Sequence, residues 1–273
     1  MAILRTALLL GLLTGILLAI GWLFAGVGGM TIAFFLALIF NFATYWWSDK
    51  VVLSMYRASP SSDRKLNAAV EKVAKAAGVP KPAVYVIPTE VPNAFATGRS
   101  PRHAAVAVTQ GLMHSLDSEE LEGVIAHELA HIKNRDTLIG TLAATIAGAI
   151  SWIAQIAWFS SIGNRNRGGA VLLPLVIFAP IAAALVQMAI SRGREYMADR
   201  TGALFTKNPL SLASALEKIA TLAAAHPLRG NVATAHLWIV NPFSGSTLLN
   251  LFNTHPPVKE RIQRLKELAK ELK

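Results

Sequence analysis

The chain contains no cysteine among its 273 residues. A disulfide framework is therefore excluded, and any metal site must use histidine, aspartate or glutamate ligands. Charged residues are also scarce at 15%, and acidic residues are the fewest, 16 against 26 lysines and arginines. Beside 53% hydrophobic residues, so small a charged fraction is too low for a soluble domain of this length.

Four long apolar segments account for the excess of hydrophobic residues. They are residues 3–24, 30–47, 137–163 and 168–191, and Arg5 is their only charged residue. Each reaches or approaches the roughly 20 residues that a helix needs to cross a bilayer. Because the first apolar stretch is too long for a signal peptide and no A-x-A site follows it, we expect it to be retained. The segments predict two helical hairpins, with turns at 26–29 and 162–168.

The stretch His127-Glu128-Leu129-Ala130-His131 has the pattern H-E-x-x-H. On a helix, residues four apart lie on one face, so both imidazoles can reach one metal ion, while Glu128 is placed to act as general base on a water molecule. Asp117 or Ser118, followed by acidic residues, predicts the start of that helix. An accidental pair of surface histidines is the alternative, but a chance match is expected in only about one such sequence in a hundred.

A catalytic zinc site of this kind needs a third protein ligand. Glu195 is the best candidate, and Asp199 lies one turn further on the same helical face, where it would orient a ligating imidazole. An ordinary solvated helix with a Glu and an Asp at this spacing fits the residues equally well. Since two membrane crossings return the chain to its starting side, His131 and Glu195 can meet.

The basic residues predict the orientation of the chain in the membrane. Of the 26, 11 lie in 48–139 and 12 in 191–273, on one predicted side together with Arg5, and only Arg165 and Arg167 lie opposite. By the positive-inside rule that side is the cytoplasm. The net charge of +10 is then explained by anionic lipid headgroups, and no nucleic-acid motif accompanies it.

The remaining polar parts of the chain predict an α+β domain. Residues 63–77 form an expected amphipathic helix ended by Gly78, and residues 83–87 and 104–109 are expected strands. Residues 93–98 could pair with the second strand and, if they lie at a sheet edge, hold an extended peptide; a purely structural hairpin is the alternative. A basic amphipathic helix is expected over 256–272.

These expectations divide the chain into four parts. Transmembrane hairpin 1 occupies 1–47, the first part of the catalytic domain 48–136, transmembrane hairpin 2 137–191, and the second part of the catalytic domain 192–273. The expected fold is thus mainly α: four transmembrane helices in two hairpins, with a cytoplasmic α+β zincin-like catalytic domain built from two chain segments.

Several stretches together resemble one family over essentially the whole chain. They are HELAH at 127–131, KNRD at 133–136, SRGREYMAD at 191–199, NAFATG at 93–98 and THPP at 254–257. With the two hairpins, they resemble the HtpX-type integral membrane zinc endopeptidases of the gluzincin group. The resemblance implies one zinc ion per chain, held by His127, His131 and Glu195, with Glu128 as the catalytic base.

The resemblance also implies a function and a location. It implies a protease of the cell membrane that cleaves damaged or misfolded membrane proteins, or other unfolded polypeptides, at the cytoplasmic face under stress. His255, Arg192 and Tyr196 are candidates for a second oxyanion donor. Two alternatives are a CAAX prenyl-protein endopeptidase, a class with more membrane spans, and a scaffold with structural zinc, for which a base at Glu128 would have no use.

Overall fold

The computed structural model describes residues 2–142, 192–225, 237–240 and 256–272. The predicted second transmembrane hairpin, 137–191, lies outside the described residues apart from 137–142, and His255 lies outside them too. The fold below is that of the described residues.

The first helix, α1, spans Ala2–Met55 and is broken at Ala25 and Gly26, whose backbone angles are not helical. Gly26 has a φ of 58°, which glycine adopts at little cost. Beyond this break the helix folds back on itself, since Asn41 Nδ2 donates to Thr14 Oγ1 over 2.8 Å. The turn therefore begins slightly before the predicted 26–29.

The second half of α1 continues past Trp47, where the apolar segment ends, to Met55. No glycine or proline occurs between these residues to stop the helix. The stretch Ala25–Met55, 31 residues, is long and apolar enough to cross a membrane, and it is the single such helix in the part of the chain that the structure describes.

A four-stranded sheet follows, in the order β1-β2-β4-β3. The strands are β1 Ser59–Pro60, β2 Ala83–Ile87, β3 Ala94–Ser100 and β4 His103–Thr109. β2 runs parallel to β4, whereas β1 and β3 are antiparallel to their neighbours. The three strands predicted from the sequence are confirmed, and β3 lies at the edge of the sheet.

Six further helices complete the described fold: α2 Arg64–Ala77, α3 Gln110–Ser115, α4 Ser118–Asn134, α5 Arg192–Thr206, α6 Pro209–Ala225 and α7 Val258–Glu271. The predicted start and stop of α2 are confirmed, because Asp63 caps its first turn and Gly78 ends it in the left-handed conformation. α7 begins two residues after the expected Pro256, since Pro256 and Pro257 stay outside the helix.

α4 is the central helix of the core. It begins with a capping box, in which Asp117 accepts from the Glu120 amide and the Glu120 side chain accepts from the Asp117 amide. Ten of its residues are buried, and α2, α5, α6 and β3 all contact it. The helix therefore places its side chains in the water-excluded interior.

Glu120 joins α4 to α6 at the edge of this core. Its carboxylate accepts from Ser214 Oγ at 2.6 Å and from Lys218 Nζ at 2.7 Å. Burial alone would raise the pKa of Glu120, but these bonds and the Asp117 amide outweigh burial and hold the pKa below its ordinary 4.5. A carboxyl whose pKa falls on folding stabilises the fold above its unfolded pKa, and this stabilisation is lost as the pH falls through the folded pKa.

We expect Glu120→Gln to lower the free energy of unfolding by about 1.5–3 kcal/mol at pH 7, because charged hydrogen bonds are lost. The difference in free energy of unfolding between the variant and the wild type should become smaller below about pH 4.5, where the wild-type carboxyl becomes protonated and so loses its charge. Thermal unfolding in detergent between pH 3.5 and pH 7 measures this. Glu71→Gln, which removes only an exposed pair with Lys81, is the control; a gap independent of pH would contradict the prediction.

Candidate metal centre

Three metal-ligating side chains meet between α4 and α5. His127 Nε2 and His131 Nε2 lie 3.2 Å apart, and the Glu195 carboxylate lies 3.7 Å from the first and 3.5 Å from the second. His127 and Glu195 are buried, and His131 is partly buried. The structure therefore brings together the three residues that the sequence predicted as ligands.

The spacing of these atoms fits a small tetrahedral metal ion. Zinc binds histidine nitrogen at about 2.0–2.1 Å, which at tetrahedral angles separates two ligand atoms by about 3.3 Å. The observed separations of 3.2–3.7 Å lie close to this value. Two imidazoles and one carboxylate also leave a fourth coordination position open, as catalytic zinc sites do.

Local helix geometry explains how the two sides of the site form. His127 and His131 are one turn apart on α4, and Glu195 and Asp199 are one turn apart on α5. The helices approach closely at Gly202, where a Cβ atom would lie 2.7 Å from the His127 backbone nitrogen. Because glycine has no side chain, α5 can bring Glu195 within reach of both imidazoles.

An aspartate orients each imidazole through its other nitrogen. Asp199 lies 2.9 Å from His127 Nδ1, which is the contact that the sequence predicted. Asp136 lies 3.4 Å from His131 Nδ1, and the sequence did not assign it that role. Arg135 has a φ of 59° and ends α4, so the chain turns and Asp136 faces back toward His131. Such contacts fix the orientation of a ligating ring.

Sequence reasoning also missed Arg261, which is completely buried on α7. Its guanidinium donates to both Asp199 oxygens, at 2.8 and 2.7 Å. Its position in the helix could have indicated a buried role, because Arg261 interrupts an apolar face that includes Leu265 and Leu268. A charged residue at such a position must find a buried partner.

Burial shapes the electrostatics of these side chains. It lowers the pKa of His127 to about 4 and, with the Glu195 charge, raises the pKa of Glu128 to about 7. Burial also opposes the charge on His131, but the hydrogen bond to Asp136 and the Glu195 and Glu128 charges raise its pKa to about 9. At neutral pH His127 is therefore neutral, the form in which an imidazole nitrogen can bind a metal ion.

Comparison with known proteins agrees with this geometry. The model of a family described as Peptidase family M48 matches residues 60–269. The chain belongs to peptidase family M48. Proteins named Protease HtpX homolog share about half of its residues: the one from Pyrococcus furiosus is 54% identical and the one from Persephonella marina 53%. The alignments cover 98% of this chain and 96% and 98% of theirs.

The M48 membership confirms the predicted HtpX-type resemblance and the assignment as a metalloprotease. The Protease HtpX homolog of Pyrococcus abyssi is 52% identical and covers 98% of the chain as well. The crystal structure of S. mikatae Ste24p aligns with 97% of this chain and 64% of its own, at 18% identity and a TM-score of 0.48, a similarity too low to support a conclusion.

Two of the three oxyanion-donor candidates fall within the described residues of this M48 protease. Arg192 is exposed at the start of α5. Tyr196 packs beneath the guanidinium of Arg264, 3.8 Å from the ring centre, and its hydroxyl bonds to Glu260. These contacts engage Tyr196 with α7 rather than with the three metal-ligating side chains.

We expect Gly202→Ala to weaken both the fold and the metal site of this M48 protease. The added Cβ would meet the backbone of Ala126 and His127 at 2.7–2.9 Å, so α4 and α5 must separate, at a cost of about 1–3 kcal/mol. Thermal unfolding and titration with zinc against a chelator measure the two effects. Gly15→Ala, which meets nothing within 4 Å, is the control. Unchanged zinc affinity in Gly202→Ala would contradict the prediction.

Proposed function

We propose that this M48 protein is a membrane-embedded, zinc-dependent endopeptidase that cleaves damaged or misfolded membrane proteins at the cytoplasmic face. The observation that carries the proposal is the buried group of His127, His131 and Glu195 with Glu128 on the same helix. We assign the three ligand roles to that group and the role of general base to Glu128. A quality-control role under stress follows from the HtpX-type resemblance.

Zinc is the metal that the donor set favours, since two imidazoles, one carboxylate and an open position are typical of catalytic zinc. When bound, zinc supplies a Lewis acid that acidifies water and polarises the substrate carbonyl. The protein contributes the fixed positions of the donors, with Asp199 and Asp136 holding the two rings.

Glu128 has the properties of a general base that can return its proton. It is only 2% exposed, and this burial raises the pKa of its carboxyl, which helps it to hold a proton until the proton is passed on. The Ala96 amide of β3 donates to its carboxylate, which fixes the carboxylate beside the edge strand. We therefore assign Glu128 to take a proton from the attacking water and to pass it to the leaving amine.

We assign the substrate to the edge strand β3. Because Ala96 of this strand lies beside Glu128, an extended polypeptide that runs along β3 would pass beside the base. Thr141, at the start of the third apolar segment, lies 2.9 Å from Thr97 of the same strand. Arg99 stacks over Trp46 of α1 at 4.5 Å. β3 is thus in contact with two predicted membrane segments, which supports a substrate at the bilayer surface.

The surface of α1 supports insertion into a bilayer. Large apolar side chains are exposed along it, among them Ile32, Phe35 and Ile39, at 60–66% of their surface, whereas water would disfavour so large an apolar patch. Its polar Thr14 and Asn41 bond to each other, as polar groups between membrane helices do. Four spans and a cytoplasmic catalytic face complete the proposal, on the charge distribution of the sequence.

The roles assigned to the two glutamates make a direct test. We expect detergent-purified wild type to bind about one zinc ion and to cleave an unfolded membrane protein. Glu128→Ala should lose at least about 100-fold in rate and keep its zinc, because only the base is removed. Glu195→Ala should bind zinc more weakly, because a ligand is removed. Cleavage assays and metal analysis of each purified variant measure this.

Glu122→Ala is the matched control, because Glu122 lies on the same helix and pairs with the exposed Lys72. It should cleave and bind zinc as the wild type does. Undiminished cleavage by Glu128→Ala would refute the catalytic assignment. Cleavage of a prenylated peptide in preference to the unfolded protein would refute the proposed substrate class.

A further inference from the structure

Arg261 lies at the junction of two structural units of the site. Its guanidinium donates to both oxygens of Asp199 and, through Nη1, to the carbonyl of Ile239 at 2.7 Å. The side chain is completely buried. A buried charge persists only where its hydrogen-bonding groups are satisfied, and Asp199 and Ile239 both contribute such partners.

The first unit is the metal centre. Asp199 contacts His127 Nδ1 at 2.9 Å, while the opposite nitrogen of that ring faces Glu195 at 3.7 Å. The two hydrogen bonds from Arg261 to Asp199 therefore determine where the Asp199 carboxylate lies. Through that carboxylate it sets the direction of the ligating imidazole.

The second unit is the segment Leu237–Val240 beside the edge strand. The Ile239 amide donates to the Ala94 carbonyl at 3.1 Å, and the Asn93 side chain donates to the Val240 carbonyl at 2.6 Å. Trp238 is fully buried, with its ring centre 4.7 Å from that of Tyr56 and 5.1 Å from that of Phe95. The segment thus occupies the Ala94 end of the β3 edge, and a substrate that runs along β3 must stop there.

We propose that Arg261 is a positioning residue that fixes the metal ligand His127 and the closed end of the substrate groove in one relative geometry. The proposal rests on the proposed function, in which β3 receives the substrate and His127 the metal. Arginine suits this task because its planar guanidinium donates in several fixed directions at once. Lysine at the same position keeps the charge but presents a single nitrogen, which cannot bond to Asp199 and Ile239 with the same geometry.

The test compares Arg261→Lys with Arg264→Lys, one turn along the same helix, where the side chain is exposed and pairs with Glu260. In Arg261→Lys we expect zinc affinity, measured against a chelator without substrate, to fall about 10–100-fold. At saturating zinc we expect KM for an extended peptide to rise by more than kcat falls. Arg264→Lys should change neither quantity by more than about twofold.

A second variant keeps the test informative if Arg261→Lys does not fold. Asp199→Asn preserves the shape of the side chain but removes the charge that holds Arg261. We expect zinc affinity to fall because His127 loses the carboxylate that orients its ring, and KM to rise because Arg261 loses the charge that holds it.

Two results would overturn the proposal. A folded Arg261→Lys protein with wild-type zinc affinity would show that the residue only stabilises the fold, and reduced zinc affinity with an unchanged KM in either variant would show that the two units are independent. Failure of the proposed function is separately visible, because the wild type would then bind no zinc or Glu128→Ala would cleave normally.

Discussion

The candidate metal centre depends on the close packing of α4 against α5. In the sequence these helices lie on opposite sides of the second pair of apolar segments; α4 carries two of the three metal-ligating residues and α5 the third. At Gly202 the backbones of α4 and α5 approach so closely that no room remains for a Cβ atom. Glu195 then lies between two imidazoles that α4 has already placed on one face. Any larger residue at the crossing would separate the two halves of the site.

This packing buries several charges, and the structure satisfies them in pairs. Asp199 is matched by Arg261, and Asp136 by Arg194 at 3.3 Å. The charge of Arg261 and its hydrogen bonds overcome the effect of burial and hold the pKa of Asp199 at about 2. Asp199 therefore stays ionised and can accept a hydrogen bond from His127 at neutral pH. Each imidazole is fixed by a carboxylate that is itself held by an arginine.

Those features that depend on short stretches of sequence were predictable. The H-E-x-x-H spacing, the end of α2 at Gly78 and the β2 strand follow from residues within a few positions of one another, and the structure reproduces them. From the residues alone, Glu195 fitted a metal ligand and a residue on an ordinary solvated helix equally well. The family resemblance favoured the ligand. The assigned roles of the ligands and of Glu128 remain predictions.

Features that depend on tertiary contacts were not predictable from the residues alone. Arg261 acts on Asp199 across 62 residues, and only the packing of α7 shows the pairing. Asp136 reaches His131 because Arg135 adopts a left-handed conformation, which no local pattern required. For the same reason α4 ends at Asn134, just before the third apolar segment.

The contacts of β3 with α1 define the direction in which the strand runs. Its Arg99 lies against Trp46, and its Phe95 lies against Tyr56, with ring centres 5.7 Å apart. Four strand residues span about 14 Å, and ten helical residues about 15 Å, so the strand lies alongside the end of the helix. If α1 crosses the bilayer as proposed, β3 runs roughly perpendicular to the membrane plane, as α1 does. A polypeptide drawn out of the membrane would then run lengthwise along β3, without bending parallel to the surface.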